Sequence, residues 1–305
     1  MTARLRTPLA IAITAIAGLS LTACGSDSLD GGSSSSSGAS SSSSSSADSG
    51  PDAELVKLVP AAVKSKGTLT VGTDASYAPN EFYAADGKTI QGMDIDLLNA
   101  ALSKLGLKAT YQNGDFSSLI LGVQGGKFDM GISSFTINAE RKKEVTMVSY
   151  FNAGTQWVVR KGNPKKVSMD NPCGLTIGVQ KGTVQVDDIT ARSKKCTAAG
   201  KPAVKQLVDG DQAKITAALV SGKADAMLAD SPVGLYAVQQ TGQLEALGDI
   251  YEAAPYGVVL KKADTQMADA LAKAFEAVNE SGQYKQVLQK WNNTTGAVDS
   301  FAVNP

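Results

Sequence analysis

The chain has 305 residues, 43% of them hydrophobic and 19% charged, enough for one or two globular domains with a large core. Its 29 basic and 29 acidic residues cancel, which excludes the basic excess of a nucleic-acid-binding protein. No histidine is present, so the commonest general base and the commonest metal ligand are both missing.

Residues 1–23, MTARLRTPLAIAITAIAGLSLTA, begin basic and continue apolar from about Pro8 to Leu21. That run is short for a membrane span of about 20 residues and has the pattern of an export signal. Its end, LTAC, resembles the lipobox of bacterial lipoproteins. That resemblance makes Cys24 the mature N-terminus, carrying acyl chains (palmitate among them) that anchor the protein in a lipid bilayer. A soluble secreted protein cleaved after Ala23 is the alternative. Loss of the leader removes Arg4 and Arg6 and leaves 27 basic against 29 acidic residues, a net charge of −2. The expected location is extracytoplasmic, on the outer face of the cytoplasmic membrane or in the periplasm.

The Ser- and Gly-rich tract after Cys24 cannot bury enough apolar surface to fold. It is assigned, to residue 58, as a flexible tether reaching roughly 30 Å. Foldable sequence resumes near Ala53.

Strands and helices then alternate. Strands are predicted at 68–73, 107–111, 128–133, 175–180, 203–208, 225–229 and 256–260. Helices are predicted at 93–105, 116–124, 184–195, 211–221, from Pro232, and at 265–280 and 283–291. In the first of these, Ile95, Leu98, Leu102 and Leu105 stand at helical spacing. The alternation predicts an α/β fold with mostly parallel strands. Cys173 and Cys196 fit one disulfide in an exported protein, worth about 3 kcal/mol in the chain-entropy model; two buried thiols are the alternative.

QGGKFDMGISS (124–134) resembles VSGKADAMLADS (220–231): a helix end, Gly-Lys-x-Asp, an apolar strand, then polar residues. This short echo suggests two lobes on one plan. In both copies the polar residues follow the carboxyl end of a strand, where open α/β sheets bind ligands. One copy supplies Ser133, Ser134, Thr136 and, soon after, Arg141; the other supplies Asp230. A cation with hydroxyls facing an anion suits a zwitterion such as an α-amino acid. The blander alternatives stay open. Arg141 lies in ERKK, which reads as a solvated helix face, and Asp230 precedes Ser-Pro, which reads as a helix cap. Asp94 and Asp96 stand at a helix start, where capping and the macrodipole explain them without a metal. No metal or cofactor is expected.

The motifs VGTDASYAPNEF, GMDIDLLNA, DFSSLILGVQGGKFDMGISSFTINAERKKEVTMVSYF, IGVQKGTVQ, ADAMLADS and PYGVVLKK, in this order, resemble the family 3 extracellular solute-binding proteins, amino-acid receptors of ABC importers. The resemblance runs from about Thr68 to Trp291. It implies a two-lobed, periplasmic-binding-protein-like (type II) α/β fold with two hinge crossings, near Gln156–Val159 and Ala253–Tyr256. Lobe I would hold 59–156 plus 256–305, and lobe II 157–255. Closure of the hinge would bury the solute.

By the same resemblance, Arg141 clamps the ligand α-carboxylate, with Ser134 and Thr136 beside it. Thr183 and Val184 open a helix whose N–H groups help. Asp230 takes the α-ammonium. Tyr77 and Phe116 flank the ligand side chain, although isolated aromatics are ordinarily core. Asp74 faces the side-chain end in members specific for cationic amino acids. The family commonly has an aromatic where this chain has Asn80, beside Glu81; this departure favours a polar or cationic ligand. The implied partners are an amino acid and ABC permease subunits, with the receptor itself a monomer. An enzyme of the same fold (dehydratase or lyase) and a ligand-sensing accessory protein are the alternatives.

Overall fold

The computed structural model describes residues 50–305; the leader, Cys24 and most of the tether lie outside the described residues. Folded chain starts earlier than residue 59. The Asp52 carboxylate accepts from the N–H groups of Glu54 and Leu55 and caps α1 (Ala53–Leu58), and Leu55 and Leu58 pack on the main core. The tether boundary expected at residue 58 is therefore corrected to about Asp52. After α2 (Ala61–Lys66) come β1 (Thr68–Thr73) and a small antiparallel sheet of β2 (Ser76–Tyr77), β3 (Glu81–Tyr83) and β4 (Ile90–Gln91). Then follow α3 (Met93–Lys104), β5 (Lys108–Asn113), α4 (Phe116–Gln124), β6 (Met130–Gly131), α5 (Ala139–Glu144) and the long β7 (Val145–Arg160).

The second half repeats the plan: β8 (Thr176–Gln180), α6 (Val184–Ala198), β9 (Lys205–Asp209), α7 (Gln212–Val220), β10 (Ala226–Asp230), α8 (Ser231–Thr241) and the long β11 (Leu244–Lys261). It closes with α9 (Thr265–Glu280), α10 (Gln283–Lys290) and a 3-10 turn, Thr294–Gly296. In α9, Met267, Leu271, Phe275 and Val278 recur at intervals of four, four and three, so one face is buried.

The main sheet has strand order β5-β1-β6-β11-β7-β10-β8-β9. Its flanks are parallel, and its centre is antiparallel: β7 and β11 pair with one another, with β6 at one end and β10 at the other. The register between β7 and β11 is broken between Leu247 and Tyr251, and again between Tyr251 and Ala254. These strands carry the chain twice between the two parts of the sheet. Two hydrophobic clusters use residues up to 153 and from 256 onwards, and two others use residues 157–251. A fifth, of Tyr77, Ala229 and Val233, joins them. This is the two-lobed α/β architecture.

The internal echo has a physical basis. Asp129 accepts from the N–H of Thr70 and donates its own to the Thr70 carbonyl; Asp225 does the same with Thr176. In each lobe the Gly-Lys-x-Asp aspartate thus ties a strand to its parallel neighbour. Cys173 and Cys196 form the disulfide, with Cα atoms 5.5 Å apart.

Candidate functional site

The loop after β6 leads to α5, and Arg141 on α5 turns back towards the cleft rather than out to solvent. Its Nη1 donates to the Thr136 carbonyl at 2.8 Å, and its Nη2 donates to the Gly182 carbonyl of the other lobe at 3.2 Å. The guanidinium lies over Phe116 and Phe135, 5.4 and 5.8 Å from the ring centres. Asn138, not Arg141, serves the start of this helix. Gly182 sits at φ +82, and a Cβ there would fall 2.9 Å from Ser117 Cβ, so glycine lets the lobes approach at this point.

Asp230 ends β10, and its side chain makes no capping bond to α8. Its Oδ1 accepts from Gln185 Nε2 at 2.7 Å and its Oδ2 from the Tyr256 hydroxyl at 2.8 Å. Its backbone N–H donates to the Tyr77 hydroxyl oxygen at 3.2 Å. The helix-cap alternative for Asp230 and the solvated-face alternative for Arg141 are both set aside by these contacts. Neither residue makes an ion pair among the described residues. Burial raises the Asp230 carboxyl above its usual range, while Tyr256, Gln185, Tyr77 and Arg141 oppose the rise. Burial also pulls the Arg141 guanidinium down, while Asp230 and Asp187 pull it back. Each charge is felt at the other, and neither is neutralised.

A cavity of about 10 Å³ separates them, lined by Tyr77, Phe116, Ser134, Thr136, Arg141, Thr183, Val184 and Asp230, with Gln180 and Gln185 added. Eight of the ten expected ligand residues therefore share one wall. Ser133 and Asp74 do not line it. Ser133 Oγ accepts from the Asp74 N–H and donates to Glu81 Oε1, so it is turned inward. Asp74 accepts at Oδ1 from Ser76 and at Oδ2 from the Phe116 N–H and from Gln180 Nε2 at 3.0 Å. It stands just behind the cavity, at the head of a neighbouring cleft that holds Asp115, Asp209 and Asp211. Burial raises its carboxyl, against the Ser76 and Phe116 bonds.

Asn80 and Glu81 also lie behind the wall. Both are fully buried, and Asn80 Nδ2 donates to Ser134 Oγ at 2.8 Å. Asn80 therefore holds Ser134 from behind and does not itself line the cavity. Asp94 is not a cap: its Oδ2 accepts from the Ser134 N–H, the Ser134 hydroxyl and the Tyr150 hydroxyl. Asp96 accepts from Lys290 and Trp291 at the surface.

Sequence reasoning missed Gln180, Gln185 and Tyr256. Both glutamines stand in IGVQKGTVQ, and Gln185 is one residue past the expected helix start. Their uncharged amides carried no signal against the charged residues beside them.

Residues 69–294 match the family model of the bacterial extracellular solute-binding proteins, family 3. The arginine-binding protein ArgT of Corynebacterium glutamicum is 35% identical over 256 residues, covering 83% of this chain and 84% of ArgT. An ancestral arginine-binding protein bound to arginine matches in structure with a TM-score of 0.68 and 34% identity, covering 74% of this chain and 98% of that one. An ancestral amino-acid-binding protein, the precursor of cyclohexadienyl dehydratase, matches with a TM-score of 0.65 and 31% identity, covering 75% and 97%.

Proposed function

Because the chain belongs to the bacterial extracellular solute-binding proteins of family 3, we propose that it captures one amino acid between its lobes and delivers it to an ABC permease. One observation carries this reading: a guanidinium and a carboxylate from opposite lobes face one cavity with no ion-pair partner among the described residues. A zwitterion supplies both partners. Its α-carboxylate meets Arg141, with Ser134, Thr136 and the start of α6 at Thr183 and Val184 alongside. Its α-ammonium meets Asp230. Tyr77 and Phe116 flank the remainder of the ligand.

The ligand class is cationic, with L-arginine the first candidate. ArgT and the ancestral arginine-bound protein support this, as does Asp74 behind the wall. A solute of this size does not fit a cavity of about 10 Å³, so the lobes part at β7 and β11 to admit it and close afterwards. Lobe I then comprises 59–156 and 256–305 and is extended at its start to about residue 52; lobe II comprises 157–255. The protein acts as a monomer, held at the outer face of the membrane through lipidated Cys24.

Isothermal titration calorimetry against the twenty amino acids plus ornithine and citrulline tests the reading. One equivalent of a cationic amino acid is expected to bind and to be recovered unchanged. No binding to any of them contradicts the function, and conversion of the ligand favours the enzyme alternative.

A further inference from the structure

We propose that Glu81 and Asp94 form a carboxyl pair sharing one proton, and that this pair positions Ser134 and Asp74 at the ligand cavity. The inference rests on the site reading above and assigns the groups behind it. Both side chains are fully buried, on β3 and at the first turn of α3, and neither makes an ion pair among the described residues. Two carboxyls in one dry compartment cannot both hold a charge without a cation, and one shared proton resolves the conflict.

The hydrogen bonds say where the proton sits. Asp94 Oδ2 accepts three donors: the Ser134 N–H at 2.8 Å, the Ser134 hydroxyl at 3.2 Å and the Tyr150 hydroxyl at 2.5 Å. That oxygen carries the negative charge. Asp94 Oδ1 is buried and lacks a donor among the described residues, unless the Glu81 carboxyl supplies one. Glu81 accepts from Ser133 Oγ at 2.9 Å and, at a long 3.5 Å, from the Ser134 hydroxyl that also reaches Asp94. A proton on Glu81, donated to Asp94 Oδ1, satisfies both groups. The titratable groups facing the pair are Tyr150, Tyr256, Tyr77, Tyr111 and Asp74, and none is a cation. Burial pushes both carboxyls up.

Two residues at the ligand site depend on the pair. Ser134 lines the cavity at φ +51, a conformation that serine holds only when its surroundings fix it, and the Asp94 anion takes its N–H. Ser133 relays Glu81 to the backbone N–H of Asp74. Loss of the shared proton places two like charges side by side and frees both anchors.

The test combines calorimetry with L-arginine, over roughly pH 5 to 10, with infrared spectroscopy of the wild type, E81Q, E81A and D94N. Glutamine keeps a donor towards Asp94, so E81Q is expected to bind within about threefold of wild type at neutral pH, whereas E81A and D94N lose about tenfold or more. Wild-type affinity is expected to fall on the alkaline side, and E81Q to lack that fall. At pH 7 the wild type is expected to show a protonated-carboxyl stretch that E81Q lacks. Absence of that stretch overturns the proposal, as does E81Q binding with the losses of E81A or with the wild-type alkaline fall. E81A serves only as the contrast; if it does not fold, E81Q and D94N decide. If the wild type shows the stretch but binds no amino acid, the ligand reading fails and the shared proton stands on the spectrum.

Discussion

Arg141 and Asp230 hold opposite charges across a gap too wide for an ion pair, and burial works against both. On the proposed function, the ligand supplies the missing counter-charges. Arg141→Ala leaves the ligand carboxylate buried and unpaired, and a loss of about 3–5 kcal/mol in calorimetric binding energy is expected. Asp230→Asn is expected to weaken L-arginine strongly and its des-amino analogue little, because only the former brings an ammonium.

Proton linkage gives a second expectation at the same scale. Asp230, Asp74, Glu81 and Asp94 all have carboxyls raised by burial, Asp94 to about 6. The native state therefore keeps protons that the unfolded chain gives up above about pH 4. By linkage, these groups make the ligand-free protein less stable as pH climbs from about 4 through their raised values. A higher melting temperature near pH 5 than near pH 7.5 is expected for the ligand-free protein, and E81Q should reduce the difference. Binding runs the other way at low pH. Protonation of Asp230 removes the anion that meets the ammonium, so affinity should fall as pH drops through its raised value.

The strand–turn–helix elements bring these residues together, and their legibility in the sequence was uneven. Helices such as α4 and α9 matched expectation because their buried faces recur at helical spacing. The hidden element was β7. Nearly every side chain in it is buried, on both faces, so it offers no alternation to read. The first half of β11 is mostly exposed or half-exposed and was hidden for the opposite reason. The polar residues after β6 and β10 were legible as ends of strands. Which of them face the cavity was not, because Ser133 and Ser134 differ only in backbone conformation. The paired aspartates Asp129 and Asp225 give a test of the repeated plan. Asp225→Ala leaves the half-buried N–H of Thr176 without its acceptor and is expected to cost about 1 kcal/mol in denaturant unfolding, with ligand affinity unchanged. The Cys173–Cys196 disulfide ties the end of α6, away from the cavity. Replacing both by serine is expected to cost about 3 kcal/mol of stability and to leave binding intact.

At the scale of the whole molecule, two lobes with separate cores meet at a small set of contacts. Gln180 reaches Asp74, Gln212 N–H reaches Ser76 Oγ, Arg141 reaches Gly182, Asp230 meets the Tyr77 and Tyr256 hydroxyls, and Tyr77 packs on Ala229 and Val233. These contacts are few beside the cores on either side, so the lobes are expected to separate without unfolding. The most direct test of the account is calorimetry of the wild type with L-arginine and two truncated forms, agmatine without the α-carboxylate and the des-amino acid without the α-ammonium. Both truncated forms are expected to bind at least about a hundredfold more weakly, roughly 2.7 kcal/mol. Binding of either within about tenfold of L-arginine contradicts the clamp formed by Arg141 and Asp230.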